Sequence, residues 1–129
     1  MFFPTNVRTV GAAVIALAVA STALAYAAAP PAPAKGNPAA GKAIFSIKCV
    51  ACHKPDGTGG VKLTGNPTPN WKDPKTWADP KRKNVDAYLR DCITNGKSRS
   101  GMPAWSRQGV KPADIENLIA FIHTFMKKK

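Results

Sequence analysis

Two thiols and an imidazole stand together at Cys49-Val50-Ala51-Cys52-His53. Cysteines separated by two residues can each add to a vinyl group of one porphyrin, and a histidine directly after the second is then held beneath the iron as an axial ligand. The spacing C-x-x-C-H thus predicts one covalent c-type haem, attached through Cys49 and Cys52 with His53 on the metal. Two other chemistries use the same letters. A thioredoxin-like dithiol belongs in a βαβ setting, and no run of β-branched residues precedes Cys49. A structural zinc site needs a second ligand pair, whereas Cys92 and His123 are far apart and not at finger-like spacing. No catalytic carboxylate pair, nucleophile triad or phosphate loop accompanies the motif, so the expectation is electron transfer rather than catalysis.

What that chemistry becomes depends on the group facing His53 across the iron. Met102, Met126 and His123 are the candidates. Met126 and His123 fall on a terminal helical pattern, where a methionine in an apolar stripe belongs to a core and a helical histidine to a surface. Met102 lies in Gly101-Met102-Pro103-Ala104-Trp105, a Gly/Pro-bounded loop that can present a thioether without a helical backbone in the way, and it is the predicted second ligand.

The elements that must hold these residues can be read in order. A helix is predicted over 38–48, capped by Asn37 and opened by Pro38, with Ala40, Ile44, Phe45 and Ile47 near one face, and it delivers the haem motif. Residues 54–75 read as irregular, with turn signals at Asp56-Gly57 and Gly59-Gly60 and with Pro67, Pro69 and Pro74 interrupting. A loop this long in a small domain needs an object to wrap, and Trp71 and Trp77 are expected to pack against the porphyrin. A second helix over 84–95 is capped by Asn84 and carries Val85, Tyr88, Leu89, Cys92 and Ile93 at helical spacing, with Gly96 ending it in the left-handed conformation. That periodicity turns Cys92, the cysteine left over, inward as a small core residue. A loop over 97–110 and a helix over 111–126, with Ile115, Leu118, Ile119, Ile122, Phe125 and Met126 on one stripe, close the chain.

The remaining stretches concern address and charge. Residues 1–25 read as a signal peptide, with Arg8 as the positive flank, an apolar run over 10–20 and Ala23-Leu24-Ala25 as the cleavage signal; an uncleaved membrane anchor is the alternative. Residues 26–37 form an Ala/Pro linker, and 38–129 form the domain. Because bacterial haem c is attached outside the cytoplasm, the leader and the haem motif support each other and point to a periplasmic or exported protein. At 129 residues the chain supports one core, and its net charge of +12 calls for an acidic partner surface. Nucleic acid is disfavoured because the lysines are scattered.

Taken together, the sequence resembles the class I c-type cytochromes over about 38–126. The likeness rests on Gly41 and Phe45 ahead of the haem motif, the Asp56-Gly57-Thr58-Gly59-Gly60 loop, Gly101-Met102-Pro103-Ala104-Trp105, and a closing amphipathic helix. The resemblance implies an all-α fold of about three main helices around one covalently bound haem, with the first and last helices crossing at Gly41, Phe45 and Phe121. It also implies that a proline carbonyl, Pro69 or its neighbour Pro67, accepts a hydrogen bond from His53 Nδ1. Both loops of the family border the haem crevice, so Lys54, Lys62, Lys72, Lys75, Lys97, Arg99 and Arg107 are expected to form a positive ring. The expected function is a mono-haem carrier of single electrons between redox proteins: a dehydrogenase, oxidase or reductase with an acidic docking surface. The alternatives are a dedicated haem subunit of a dehydrogenase or oxidase complex, a haem sensor or peroxidase with displaceable Met102, and a haem-free dithiol oxidoreductase.

Overall fold

Asn37 stands with extended backbone at the start of the first helix, and its side-chain oxygen accepts from the N–H groups of Ala39 and Ala40 at 2.9 and 3.3 Å. That cap, with Pro38 already holding a helical φ, starts α1 over Pro38–Lys48. The computed structural model of the protein describes residues 35–126. The proposed leader, most of the linker and Lys127 to Lys129 lie outside those residues.

After Cys49, the haem motif forms one further helical turn, α2 (Val50–His53). Asp73 caps a short α3 (Pro74–Trp77) by accepting from Lys75 N–H at 2.9 Å, and Asp79 in the same way opens a 3₁₀ turn over Pro80–Arg82. The expected irregular stretch thus ends in local helical turns, each begun by an aspartate followed by proline. Asn84 caps α4 (Val85–Asn95) as expected. The loop after it holds 3₁₀ turns at Ser98–Ser100 and Trp105–Gln108, and α5 runs over Pro112–His123. α5 ends three residues short of the predicted Met126: the Thr124 hydroxyl and N–H both donate to the Phe121 carbonyl, tightening the last turn.

α1, α4 and α5 are the three main helices, and no strand occurs among the described residues. α1 crosses α5 at Gly41, where an added Cβ would run into the Asn117 carbonyl and press on Phe121 Cβ at 2.9 Å. Phe45, one turn on, is 2% exposed and meets Phe121 edge-to-face with ring centroids 5.1 Å apart. The resemblance foresaw that crossing. Leu89 and Ile93 of α4 and Ile115, Leu118, Ile119 and Ile122 of α5 complete the buried core. Each such side chain contributes about 1.5–3 kcal/mol through burial. Ile47 is the exception to the predicted face. It is 82% exposed, because the Gly41–Phe45 stripe sets which side of α1 meets α5, and Ile47 lies about 100° per residue around from it.

Candidate functional site

Cys49, Cys52 and His53 line one cavity of about 780 Å³, within the range of small-molecule and cofactor sites. They are held there by the loop that follows. The Thr68 hydroxyl donates to the Cys52 carbonyl at 2.8 Å, Gly59 N–H donates to the His53 carbonyl at 3.2 Å, and Trp71 N–H donates to the Gly57 carbonyl at 2.9 Å. Gly59 has φ +59, and a Cβ there would collide with the carbonyls of Thr68 and Pro69. Glycine at this position lets the loop fold tightly over the motif.

Met102 lines the same cavity, whereas Met126 and His123 do not. Met126 packs against the core, and the His123 ring pairs with Asp86 at 2.5 Å. The approach of the Met102 loop depends on Gly96. Its φ of 73° and ψ of −178° lie outside the left-handed helical region expected for it, in a region essentially reserved for glycine. A Cβ at Gly96 would lie 2.6 Å from Ala104 N, the Met102 carbonyl oxygen and the Pro103 carbonyl carbon. Lys97 and Met102 then exchange both backbone hydrogen bonds, at 2.9 and 3.2 Å. Gly96 thus ends α4 and also brings the thioether loop in. Cys92, 7% exposed, faces inward as expected and also lines the cavity.

His53 is 8% exposed, and burial pushes its pKa down to about 4, so the imidazole is neutral at pH 7 with a lone pair available. Its Nδ1 is buried with no hydrogen-bond partner. The expected bond to a proline carbonyl is therefore not formed. Pro69 and Pro67 line the cavity, but the imidazole lies flat on the Trp71 indole, and in that plane Nδ1 meets no carbonyl. Trp71 lines the cavity too, while one face of its ring is taken by His53 rather than left for a porphyrin. Trp77 does not line the cavity; its Nε1 donates to the Trp71 carbonyl at 2.9 Å.

A buried neutral imidazole, two thiols and a thioether around one cavity suit haem c. They do not suit a dithiol oxidoreductase, whose attacking sulfur needs a depressed pKa: burial pushes the Cys49 thiol up to about 11. Among the described residues no three His, Cys, Asp or Glu side chains converge as a metal cage of their own.

The charged residues at the cavity are Lys48, Lys81, Arg82, Lys97 and Arg99, with no aspartate or glutamate. Only Lys97 and Arg99 of the predicted ring are among them. Lys54, Lys62, Lys72, Lys75 and Arg107 lie elsewhere, and Lys72 pairs with Asp56 at 3.4 Å. Sequence reading missed Lys48, which ends α1 just before the haem motif, and Lys81 and Arg82, whose signal was the Asp79-Pro80 pair that starts their turn.

Comparison with known proteins bears on the family. Residues 36–122 match the family described as cytochrome c oxidase, cbb3-type, subunit III. A curated relative, the cbb3-type cytochrome c oxidase subunit FixP of Bradyrhizobium sp. (strain ORS 278), is 36% identical over 89 residues, covering 67% of this chain. The aligned stretch is 27% of that relative's length, so the chain spans about a quarter of it.

Proposed function

Because the chain belongs to the cytochrome c family of cbb3-type oxidase subunit III, we propose that it is the haem c electron-transfer subunit of an oxidase complex, facing the periplasm. The observation that carries this reading is the shared cavity: Cys49, Cys52, His53 and Met102 all line it, and the rival ligands do not. Haem bound there supplies a centre that takes up and releases one electron.

The chain's own residues do the rest. Cys49 and Cys52 would tether the group by thioether bonds, and His53, kept neutral by burial, would offer its lone pair to the iron. Met102, which lines the same cavity, would offer a neutral thioether as the second ligand. In a poorly solvated site such a ligand favours the reduced form, because oxidation adds charge where solvation is weak. If His53 and Met102 both held the iron, no position on it would be left for substrate, and the group would serve electron transfer alone. The cations at the cavity draw in an acidic partner surface.

Subunit is preferred to freely diffusing carrier because both comparisons carry the name of an oxidase subunit. The carrier remains the second reading, favoured by the five cations, and no carboxylate, among the residues that line the cavity. The apolar run over 10–20 supports export, as leader or anchor, and among the described residues no helix is long and apolar enough to cross a membrane.

Intact mass of the native protein, with absorption spectra, tests the assignment. The expected results are one covalent haem and a far-red sulfur-to-iron band in the oxidised protein that Met102→Ala abolishes. Ready binding of carbon monoxide by the reduced native protein at neutral pH would instead favour the sensor. Fractionation separates the two preferred readings: a subunit is extracted by detergent with oxidase activity, whereas a carrier leaves with the periplasmic contents.

A further inference from the structure

The imidazole of His53 and the indole of Trp71 lie face to face, with centroids 4.4 Å apart and planes inclined by 11°. Trp71 is itself fixed from several sides. Its N–H donates to the Gly57 carbonyl, its carbonyl accepts from Trp77 Nε1, and its ring stacks on Phe125 at 6.0 Å and tilts against Phe45 at the same distance. At 5% exposure the indole is a rigid plate built into the core. His53, by contrast, ends a four-residue helix, and its Nδ1 makes no hydrogen bond that would set the ring's rotation. The stacked indole is therefore the contact that defines the plane of the imidazole.

We propose that Trp71 is a positioning residue for the axial imidazole, setting its rotation about the metal bond and stabilising the oxidised state through its electron-rich face. This rests on the reading of His53 as axial ligand. The physical basis is the aromatic quadrupole: the face of an indole is negative and favours an adjacent positive charge. Oxidation of the iron makes the coordinated imidazole more positive, so the indole stabilises the oxidised form and holds the potential down. Removing the plate frees the ring to turn and removes that stabilisation.

The test uses the haem-loaded protein and the substitutions Trp71→Leu, which keeps the site apolar, and Trp71→Phe, which keeps a smaller aromatic face. Electron paramagnetic resonance of the oxidised form reads the orientation of the axial ligands, and redox titration reads the potential. In Trp71→Leu the g anisotropy is expected to shift and broaden. The redox equilibrium should move about three- to tenfold toward the reduced form, a tenfold change being about 59 mV for one electron. Trp71→Phe should restore both in part. Ile119→Val, a core change away from the cavity, controls for stability: it should lower the melting temperature and leave both signals in place. Wild-type g values and potential in Trp71→Leu would overturn the proposal, as would equal shifts in Ile119→Val. If Trp71→Leu does not assemble, Trp71→Phe and Trp71→Tyr carry the test, and unshifted signals in both overturn it. Absence of imidazole nitrogen coupling to iron in the wild type would sink the ligand assignment itself, a separate failure.

Discussion

Lys54 follows the haem-motif histidine with φ 59° and ψ 154°, the one non-glycine residue with positive φ among the described residues. Such a conformation costs a side-chain-bearing residue about 1–3 kcal/mol, held here by Lys54 N–H donating to the Val50 carbonyl and Gly57 N–H donating to the Lys54 carbonyl. Lys54→Gly relieves the strain but makes the unfolded chain more flexible, so a net stabilisation of about 1 kcal/mol is expected in denaturant unfolding. The opposite sign is expected at Gly96. There Gly96→Ala forces a Cβ against the Met102 loop and should destabilise by about 2–3 kcal/mol. Because the collision is with the thioether loop, the far-red band should be lost at temperatures where the helical circular dichroism persists. These two positions flank the chemistry from either end, one after His53 and one before Met102.

Among elements, the α1–α5 crossing bears most directly on the site, since α1 leads into Cys49. Gly41→Ala puts a methyl into the Asn117 carbonyl, and the helices can relieve it only by separating, which loosens Phe45 against Phe121. A loss of about 3 kcal/mol or more is expected in chemical denaturation. α4 is tied to α5 by a bidentate pair, Arg90 to Glu116 at 2.6 and 2.9 Å, with side chains 38% and 15% exposed. A double-mutant cycle should give a coupling of about 1 kcal/mol, reduced by salt. Lys97, which brackets Met102, is held to α4 by Asp91 at 3.0 Å. Hydrogen bonds from Asn95 and Lys97 draw the Asp91 carboxyl below its ordinary 3.8. A depressed carboxylate contributes stability above its unfolded pKa and loses it as pH falls through the folded value. The Asp91 share is thus present at neutral pH and disappears in acid below about pH 4, and Asp91→Asn should flatten that part of a melting-temperature profile taken from pH 2 to 5.

At the scale of the molecule, five of the 19 lysines and arginines line the cavity, with no aspartate or glutamate among its lining residues. Lys97 is already matched by Asp91, whereas Lys81 and Arg99 line the cavity without an ion pair among the described residues. Lys81→Gln with Arg99→Gln should slow association with an acidic redox partner several-fold at low ionic strength. The wild-type and variant rates should converge as the screening length falls below about 8 Å, with little change in potential. Stopped-flow measurements across a salt series check this; rates independent of salt would remove steering from the account.

Much of this protein is local in origin and so was legible in the chain. The haem-attachment spacing needs only four bonds of neighbouring backbone, and the caps at Asn37 and Asn84 act within three residues. Helical periodicity was enough to turn Leu89, Cys92 and Ile93 inward. What the folded molecule alone decided concerns which faces meet across long sequence separations. It brought Lys81 and Arg82, which sequence reading passes over, to the same cavity as Met102, which that reading prefers to Met126 and His123. It left Ile47 outside the α1–α5 crossing, and it stacked Trp71 against the histidine in the cavity wall. Residue spacing sets a direction relative to one helix axis, but the angle at which two helices cross is set by where backbones can touch, and here that place is Gly41.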